Sequence, residues 1–187
     1  MKIIPIYSSE KQLIKKAVQG DQRAQQRIYG MLAPKMLGVC RQYISDIHFA
    51  EDTMVNAFIK VFKQLHTFRF QGSFEGWVRR IMIRESISYL RKRQFVVYDG
   101  DAFELENVGE VYQDFEWNVE YLQKLIDGLP HGYKAVFVMY AIEGYKHAEI
   151  AELLNISEST SKSQLFKARK MLKEQLKKQN IIGYGTK

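Results

Sequence analysis

The side chains best suited to binding another molecule lie near the C-terminus, in the stretch HAEIAELLNISESTSKSQLFKA at residues 147–168. Its periodicity predicts two helices joined by a tight turn, with the second helix capped by Ser157. Asn155 tolerates the left-handed backbone that such a turn needs, and Ile156 supplies an apolar side chain to be buried after it. This pattern is typical of a helix-turn-helix that reads duplex DNA, although an amphipathic helix with a solvated basic face in an unrelated bundle has the same periodicity.

The outward positions of the second helix carry side chains that base edges and phosphates require. A helix of this kind enters the major groove by its N-terminal half. There, lysine donates to guanine, serine bonds to a base edge, and an aromatic ring covers a thymine methyl group. Basic residues beside them neutralise phosphates. The predicted DNA-contacting set is Glu158, Ser159, Lys162, Ser163, Phe166, Lys167, Arg169 and Lys170, opposite a core row of Leu165, Ala168 and Leu172.

The elements that must hold these residues are predicted to be helices throughout. Apolar residues recur at three-to-four spacing, whereas strict alternation never extends beyond a few residues, so we predict an all-α fold. The first helix is expected to begin at Ser9 as its cap and to end at Gly20, and Asp21 can cap the second. Pro34 should kink or interrupt that second helix.

The third predicted helix covers residues 49–66 and has an apolar stripe and an acidic start. Glu51 and Asp52 suit the positive end of the helix dipole. A loop rich in aromatic and small residues follows, and Ser73 can cap a fourth helix that ends in the basic residues 91–93. The stripe on the third helix comprises Val55, Phe58, Ile59, Phe62 and Leu65.

Charge is segregated along the 187 residues. The formal net charge of +7 favours a polyanionic partner, nucleic acid first and an anionic membrane second. Residues 94–123, however, contain eight acids and no lysine or arginine. We therefore predict two small helical domains, residues 9–93 and 118–179, joined by an acidic linker at 94–117 and followed by a flexible tail at 180–187. A solvated loop would account for the acidic run equally well.

The composition does not support several classes of site. Cys40 is the single cysteine, which excludes an internal disulfide, and the four histidines lack the spacing of a zinc site, so we expect no metal and no cofactor. No apolar run is long enough to span a bilayer, and we expect no membrane insertion and a cytoplasmic protein. No nucleophile with its base and no phosphate-binding glycine loop is found, so we expect no enzyme activity.

Two parts of the chain resemble, in order, regions two and four of the sigma-70 family of RNA polymerase sigma factors. The C-terminal resemblance is carried by Leu129-Pro130, Glu143-Gly144, Glu149-Ile150-Ala151, Thr160, Lys162-Ser163 and Ala168-Arg169. The N-terminal resemblance is carried by Ala50-Glu51-Asp52, Phe58-Ile59-Lys60-Val61-Phe62, Phe74, Trp77, Arg80-Ile81 and Leu90-Arg91. With no sizeable domain between these regions or before the first, the chain resembles the minimal extracytoplasmic-function group.

The resemblance implies a sigma factor that binds core RNA polymerase and directs promoter-specific initiation. The helix with Glu51, Asp52 and Asn56 would dock on the clamp helices of the largest polymerase subunit. The last helix, with Thr160 added to its set, would read the minus-thirty-five element of promoter DNA. An anti-sigma factor is a candidate further partner. The minus-ten element would be read and opened by Phe68, Phe70, Gln71, Ser73, Trp77, Arg79, Arg80, Arg84, Arg91 and Lys92.

The minus-ten assignments fit the chemistry of unpaired DNA. Aromatic rings stack on or wedge against bases, and guanidinium groups neutralise strand phosphates. A base leaving the stack needs a pocket, which the loop at residues 70–73 could line. Trp77 has a second interpretation as a core side chain, because an aromatic residue at helical spacing usually packs inward.

Several positions depart from the family pattern. Val55 and Asn56 stand where the clamp-binding helix usually has Gln-Glu, and Arg84 replaces a usual asparagine. Ser161 replaces a buried valine and Gln164 a common arginine, so the packing of the last helix and one phosphate contact are expected to differ. Two other functions stay open: a free-standing helix-turn-helix regulator that binds duplex DNA without polymerase, and an RNA-binding helical protein.

Overall fold

The computed structural model describes residues 6–97 and 119–178, and every regular element in these ranges is helical. The chain divides into two compact units between Tyr89 and Leu90. The all-α class with two helical units is therefore confirmed. The predicted linker and tail lie outside the described residues, except that 94–97 belong to a helix, so the proposed domain bounds stay predictions.

The helices follow in chain order, and their connections are short within each described part of the chain. In the first part of the chain they are α1 (Ile6–Val18), α2 (Gln22–Tyr43), α3 (Ile47–Gln64), a 3₁₀ turn (Leu65–Thr67) and α4 (Phe74–Val97). In the second part they are α5 (Val119–Asp127), α6 (His131–Phe137), a π-helical turn (Val138–Ile142), α7 (His147–Leu154) and α8 (Glu158–Lys178).

The core of the N-terminal unit is built from α2, α3 and α4. Met36, Val61 and Met82, one from each helix, are fully buried, and α1 packs against α2. Cys40 is buried as well, and its burial raises the pKa of the thiol to about 11, although the neighbouring Ser86 side chain opposes the shift. Cys40 is therefore a neutral core side chain at physiological pH.

Pro34 does not interrupt α2, which continues without a break from Gln22 to Tyr43. The prediction of a break was wrong because both Pro34 and Gly30 are exposed. Proline has no backbone N–H, so the carbonyl of Gly30, four residues earlier, has no donor within the helix. Water can satisfy that carbonyl, and a proline on the solvent side is compatible with the outward curvature of a helix around its core.

In the N-terminal unit, three helix starts are set by side-chain caps, two of which the sequence predicted. The Asp21 carboxylate accepts hydrogen bonds from the backbone N–H groups of Arg23 and Ala24. Ser73 Oγ accepts from the N–H of Gly76 at 3.2 Å. The third cap is Asp46, so α3 begins at Ile47, earlier than expected. The first helix also begins earlier, at Ile6, which leaves the predicted cap Ser9 inside it.

The early start of α3 changes two expectations about its faces. Glu51 and Asp52 lie beyond the first turn, so they are not at the positive end of the helix. Val55 and Ile59 are 45% and 47% exposed and do not belong to the buried stripe. The buried face consists of Ala50, Thr53, Met54, Ala57, Phe58 and Val61.

The C-terminal unit packs α8 against α5, α6 and α7. Glycine or proline occurs in both breaks between α5, α6 and α7, with Gly128 and Pro130 before α6 and Gly144 before α7. Met139, Ile150 and Ala168 are fully buried in its core. Lys134 is buried too, and its ammonium pairs with the Asp127 carboxylate, a buried ion pair that the sequence did not predict.

Candidate nucleic-acid interface

The turn between α7 and α8 has the geometry of a helix-turn-helix. Asn155 ends α7 in the left-handed conformation, with φ 55° and ψ 49°. Ser157 Oγ accepts a hydrogen bond from the backbone N–H of Thr160 at 3.0 Å and so caps α8. Ile156 is half-buried after the turn. The turn and the cap are those that the sequence predicted.

One face of α8 is free of core contacts and carries most of the predicted reading set. Leu165 and Ala168 face the core, and Leu172 of the predicted core row is half-buried. On the other side, Phe166 is 70% exposed, far more than a core phenylalanine, and Thr160 is half-buried at the edge. The exposed members are Glu158, Ser159, Lys162, Ser163, Phe166, Lys167, Arg169 and Lys170.

An ion pair spans the first turn of this exposed face. Lys162 Nζ lies 2.8 Å from Glu158 Oε1, one helical turn away. The hydrogen bond from Lys162, followed by the charges of Lys162 and His147, lowers the pKa of the Glu158 carboxyl. Glu158 is therefore ionised at neutral pH, and it holds the Lys162 ammonium in the absence of DNA.

Lys167 and Arg169 flank the exposed face on opposite sides, because residues two apart on an α-helix point about 200° apart. The Lys167 ammonium lies 5.9 Å from the ring centroid of Tyr133 in α6. The Arg169 guanidinium lies 5.6 Å from the ring centroid of Tyr140 in the π-helical turn. Each flanking cation thus has an aromatic neighbour from outside α8.

The two departures from the family pattern in α8 have structural explanations. Ser161 is fully buried, and its Oγ lies at hydrogen-bond distance, 2.9 Å, from Nδ1 of His147 at the start of α7. The Gln164 amide packs against Gly132 of α6, where a Cβ would approach it to 3.2 Å. Gln164 is therefore a packing residue. A buried polar residue needs a hydrogen-bonding partner. The serine at position 161 in the core row was therefore the sequence signal for a contact such as the one with His147.

The aromatic loop of the N-terminal unit contains one buried ring and one exposed ring. Phe68 is buried between Phe70, Phe74 and Trp77, with ring centroids 5.0 to 5.5 Å apart. Phe70 is 40% exposed and has a φ of 58°, which is rare for a bulky residue. Phe68 is therefore a packing residue of the loop, and Phe70 is the ring that is accessible to a base.

A pocket of about 270 Å³ lies beside this loop. Gln71, Ser73, Trp77 and Arg80 contribute to its wall, and Trp77 is half-buried, which combines its two predicted roles. Such a site offers a ring face, hydrogen-bonding groups and a cation. The remaining lining residues are Thr67, Phe68, Arg69, Gly72 and Gly76.

A stripe of basic side chains continues from the pocket along α4. Arg80, Arg84 and Arg91 are exposed, and helical geometry places them on the same side as Trp77, since they follow at three-, four- and seven-residue steps. Arg79 is half-buried and points away from this stripe. Lys92 is exposed next to Arg91. A row of cations along one side of a helix suits the repeated phosphates of a DNA strand.

The polymerase-binding candidates lie on α3. Glu51, Asp52 and Asn56 are exposed, and Val55 and Ile59 share their side of the helix. The surface is therefore mixed, with acidic and apolar groups side by side. The three-to-four spacing predicted Val55 and Ile59 as part of a buried stripe, so it gave no sign that they belong to this surface.

Family models match both units of the chain. The model described as Sigma-70 region 2 matches residues 28–96, and the model described as Sigma-70, region 4 matches residues 119–172. The two matches occur in the order that the sequence motifs predicted. The chain belongs to the sigma-70 family.

Individual relatives place this sigma-70 member in the extracytoplasmic-function group. The ECF RNA polymerase sigma factor SigW of Bacillus subtilis is 28% identical over 89% of this chain and 96% of its own length. The RNA polymerase sigma factor SigV of the same organism is 28% identical over 74% of this chain and 82% of its own. The chain is thus an ECF sigma factor.

A solved structure shows the same fold. The sigma factor RpoE of Bartonella quintana, crystallised with the anti-sigma factor NepR, superposes with a TM-score of 0.53 at 22% identity and covers 81% of this chain and 96% of its own. In the described ranges of the sigma factor, no helix has the length and apolar character needed to cross a membrane. The same ranges contain no cluster of potential metal ligands.

Proposed function

We infer that this sigma factor divides promoter binding among three surfaces: α3 docks on core RNA polymerase, the pocket and basic stripe of α4 bind the minus-ten element, and α8 reads the minus-thirty-five element. The observation that carries this assignment is that one chain presents two different DNA-binding chemistries. One consists of rings and arginines suited to unpaired bases, and the other is a helix-turn-helix suited to duplex DNA.

At the minus-ten element, the N-terminal unit is proposed to capture a base that leaves the stack. Phe70 and Trp77 offer ring faces, and Gln71 and Ser73 offer hydrogen-bonding groups at the pocket wall. Arg80, Arg84 and Arg91 then follow the strand phosphates along α4. Arg79 is left out of this path because it points to another side of the helix.

At the minus-thirty-five element, the exposed face of α8 is proposed to enter the major groove. Phe166 lies about one turn from both Lys162 and Ser163, and the three side chains are proposed to reach base edges together. Lys167 and Arg169 bind phosphates on either side of the groove.

Docking on polymerase is assigned to the mixed surface of α3. Asp52 and Glu51 provide steering toward a basic partner, and Val55 and Ile59 provide apolar area that becomes buried on binding. The clamp helices of the largest subunit are the proposed partner. The sigma factor itself is proposed to perform no catalysis and to act in the cytoplasm, where the polymerase works, and an anti-sigma factor remains a candidate regulator.

Run-off transcription on genomic fragments tests this division of labour. Core polymerase with the sigma factor should give discrete transcripts that core alone does not give. Arg84→Ala should reduce those transcripts, whereas Arg27→Ala, an exposed arginine on α2, should not. A free-standing regulator would instead bind duplex DNA without core polymerase and give no new transcript, and that result would overturn the proposal.

A further inference from the structure

Both phosphate-binding candidates beside the α8 reading face lie over a tyrosine ring. The Lys167 ammonium is 5.9 Å from the Tyr133 centroid, and the Arg169 guanidinium is 5.6 Å from the Tyr140 centroid. Both distances are within the range of about 6 Å in which a cation is attracted to a ring face. The two tyrosines come from α6 and from the π-helical turn after it, so neither contact is internal to α8.

The Tyr140 ring has a second neighbour besides Arg169. His147 stacks on it, with centroids 4.5 Å apart and planes 24° from parallel. Nδ1 of His147 lies 2.9 Å from Oγ of Ser161, which is fully buried on α8. Contacts therefore run from the buried face of α8, through His147 and Tyr140, back to Arg169 on the exposed side of the same helix.

Filling the core does not explain these tyrosines. Tyr140 is 37% exposed, and Tyr133 is only half-buried. Each ring is therefore partly exposed, and a basic side chain lies over it. A ring placed this way restricts the rotamers of a long cationic side chain without removing its charge from water.

We propose that Tyr133 and Tyr140 are positioning residues for minus-thirty-five binding: they hold Lys167 and Arg169 beside the groove before DNA arrives. The proposal rests on the proposed function of α8 as the duplex reader. Arg169 should depend more on its ring than Lys167, because a planar guanidinium stacks on an aromatic face, whereas an ammonium is a compact point charge. The His147 stack adds to the difference, since it fixes Tyr140 in place.

A double-mutant cycle on the holoenzyme tests the Arg169 half of the proposal. The probe is a duplex with the minus-thirty-five element of a promoter found by run-off transcription, titrated across a salt series. Tyr140→Leu should weaken binding about three- to tenfold, the effect expected when one long side chain must be ordered on binding. It should leave the salt slope unchanged, because the charge remains. Arg169→Ala should reduce the slope by about 0.9, the value for one phosphate.

The decisive result is the effect of Tyr140→Leu in the Arg169→Ala background, where the proposal predicts no further loss. Tyr140→Phe, which keeps the ring, should bind within about twofold of the wild type. Equal losses with and without Arg169 would show that Tyr140 only supports the fold, and the proposal would be overturned. Failure of the wild-type holoenzyme to prefer this duplex over a scrambled one would instead overturn the assignment of α8.

Thermal unfolding would detect misfolding of the Tyr140→Leu variant. In that case a second double-mutant cycle tests the proposal. Tyr133→Leu and Lys167→Ala form the same square of variants around the other cation. The predicted effect of Tyr133→Leu is smaller, about twofold, and it should also vanish when Lys167 is absent. Additive losses in this square would contradict the proposal in the same way.

Discussion

Replacing Lys162 should change which sequences the holoenzyme prefers, whereas replacing Lys167 should weaken its binding to all sequences alike. Lys162 lies on the exposed face of α8 with Ser163 and Phe166, which is the proposed base-reading surface. Lys167 lies on the flank over Tyr133, and its proposed partner is the phosphate backbone. Lys162→Ala therefore removes sequence information, and Lys167→Ala removes only charge.

The size of the Lys162 effect follows from the contact that DNA must replace. A base contact is worth about 1 to 3 kcal/mol at one base pair. In the free protein the ammonium is 2.8 Å from Glu158, but both side chains are exposed, so water screens this pair and DNA displaces it readily. The loss of discrimination should therefore be about 1 to 3 kcal/mol, which corresponds to about fivefold to 150-fold at that base pair. Glu158→Gln, which frees Lys162 and removes a negative charge from the DNA-facing surface, should strengthen binding to every duplex.

The measurement is a set of equilibrium titrations against duplexes that each differ from the promoter by one base pair. Lys162→Ala should flatten the preference at one position and leave the ranking of the others intact. Lys167→Ala should shift all affinities by one factor and reduce the salt slope by about 0.9. If both variants weakened every duplex in equal proportion, the division between base readers and phosphate clamps would be wrong.

Four further variants test the stability of the C-terminal unit, the docking surface and the aromatic loop. Lys134→Met removes the buried ammonium that pairs with the Asp127 carboxylate and should destabilise the C-terminal unit by about 1 to 3 kcal/mol, seen as lost amide-exchange protection in α6 and α8. Unchanged protection there would refute it. Charge reversal at Glu51 and Asp52 should weaken core polymerase binding and make the remainder less salt-sensitive, and an unaltered affinity across a salt series would remove that assignment. Phe70→Ala should lower the affinity for single-stranded minus-ten DNA by about 1 to 3 kcal/mol at nearly constant stability. Phe68→Ala should instead lower the free energy of unfolding in urea by about 3 kcal/mol. A larger loss of stability for Phe70→Ala than for Phe68→Ala would contradict the exposed and buried positions of the two rings.

Local signals predicted the helix-turn-helix well. Asn155 and Ser157 act through their own backbone and the next few residues, so their effect is readable from a short stretch of sequence. Asp21 is a cap of the same kind. Exposure, in contrast, decided the outcome at Pro34, since a proline that faces water leaves its helix intact.

Apolar periodicity could not separate the core from an exposed apolar surface. Val55 and Ile59 fit the three-to-four spacing of α3 as well as the buried Phe58 does, yet both are exposed. The sequence pattern shows that a position is apolar, but it does not show whether that position is buried in the core or lies on the surface. The contact between His147 and Ser161 was missed for a related reason, because fourteen residues separate the partners and only the packing of α7 on α8 brings them together.

The most direct test of the account is promoter opening followed with 2-aminopurine in the minus-ten element of a promoter identified by run-off transcription. Core polymerase with the wild-type chain should raise the fluorescence as the base unstacks, and neither component alone should do so. Trp77→Ala and Arg84→Ala should lower the amplitude while duplex binding at the minus-thirty-five element is retained. Opening by core polymerase alone, or wild-type amplitude with both variants, would contradict the claim that this sigma factor binds the unpaired strand through α4 and its pocket.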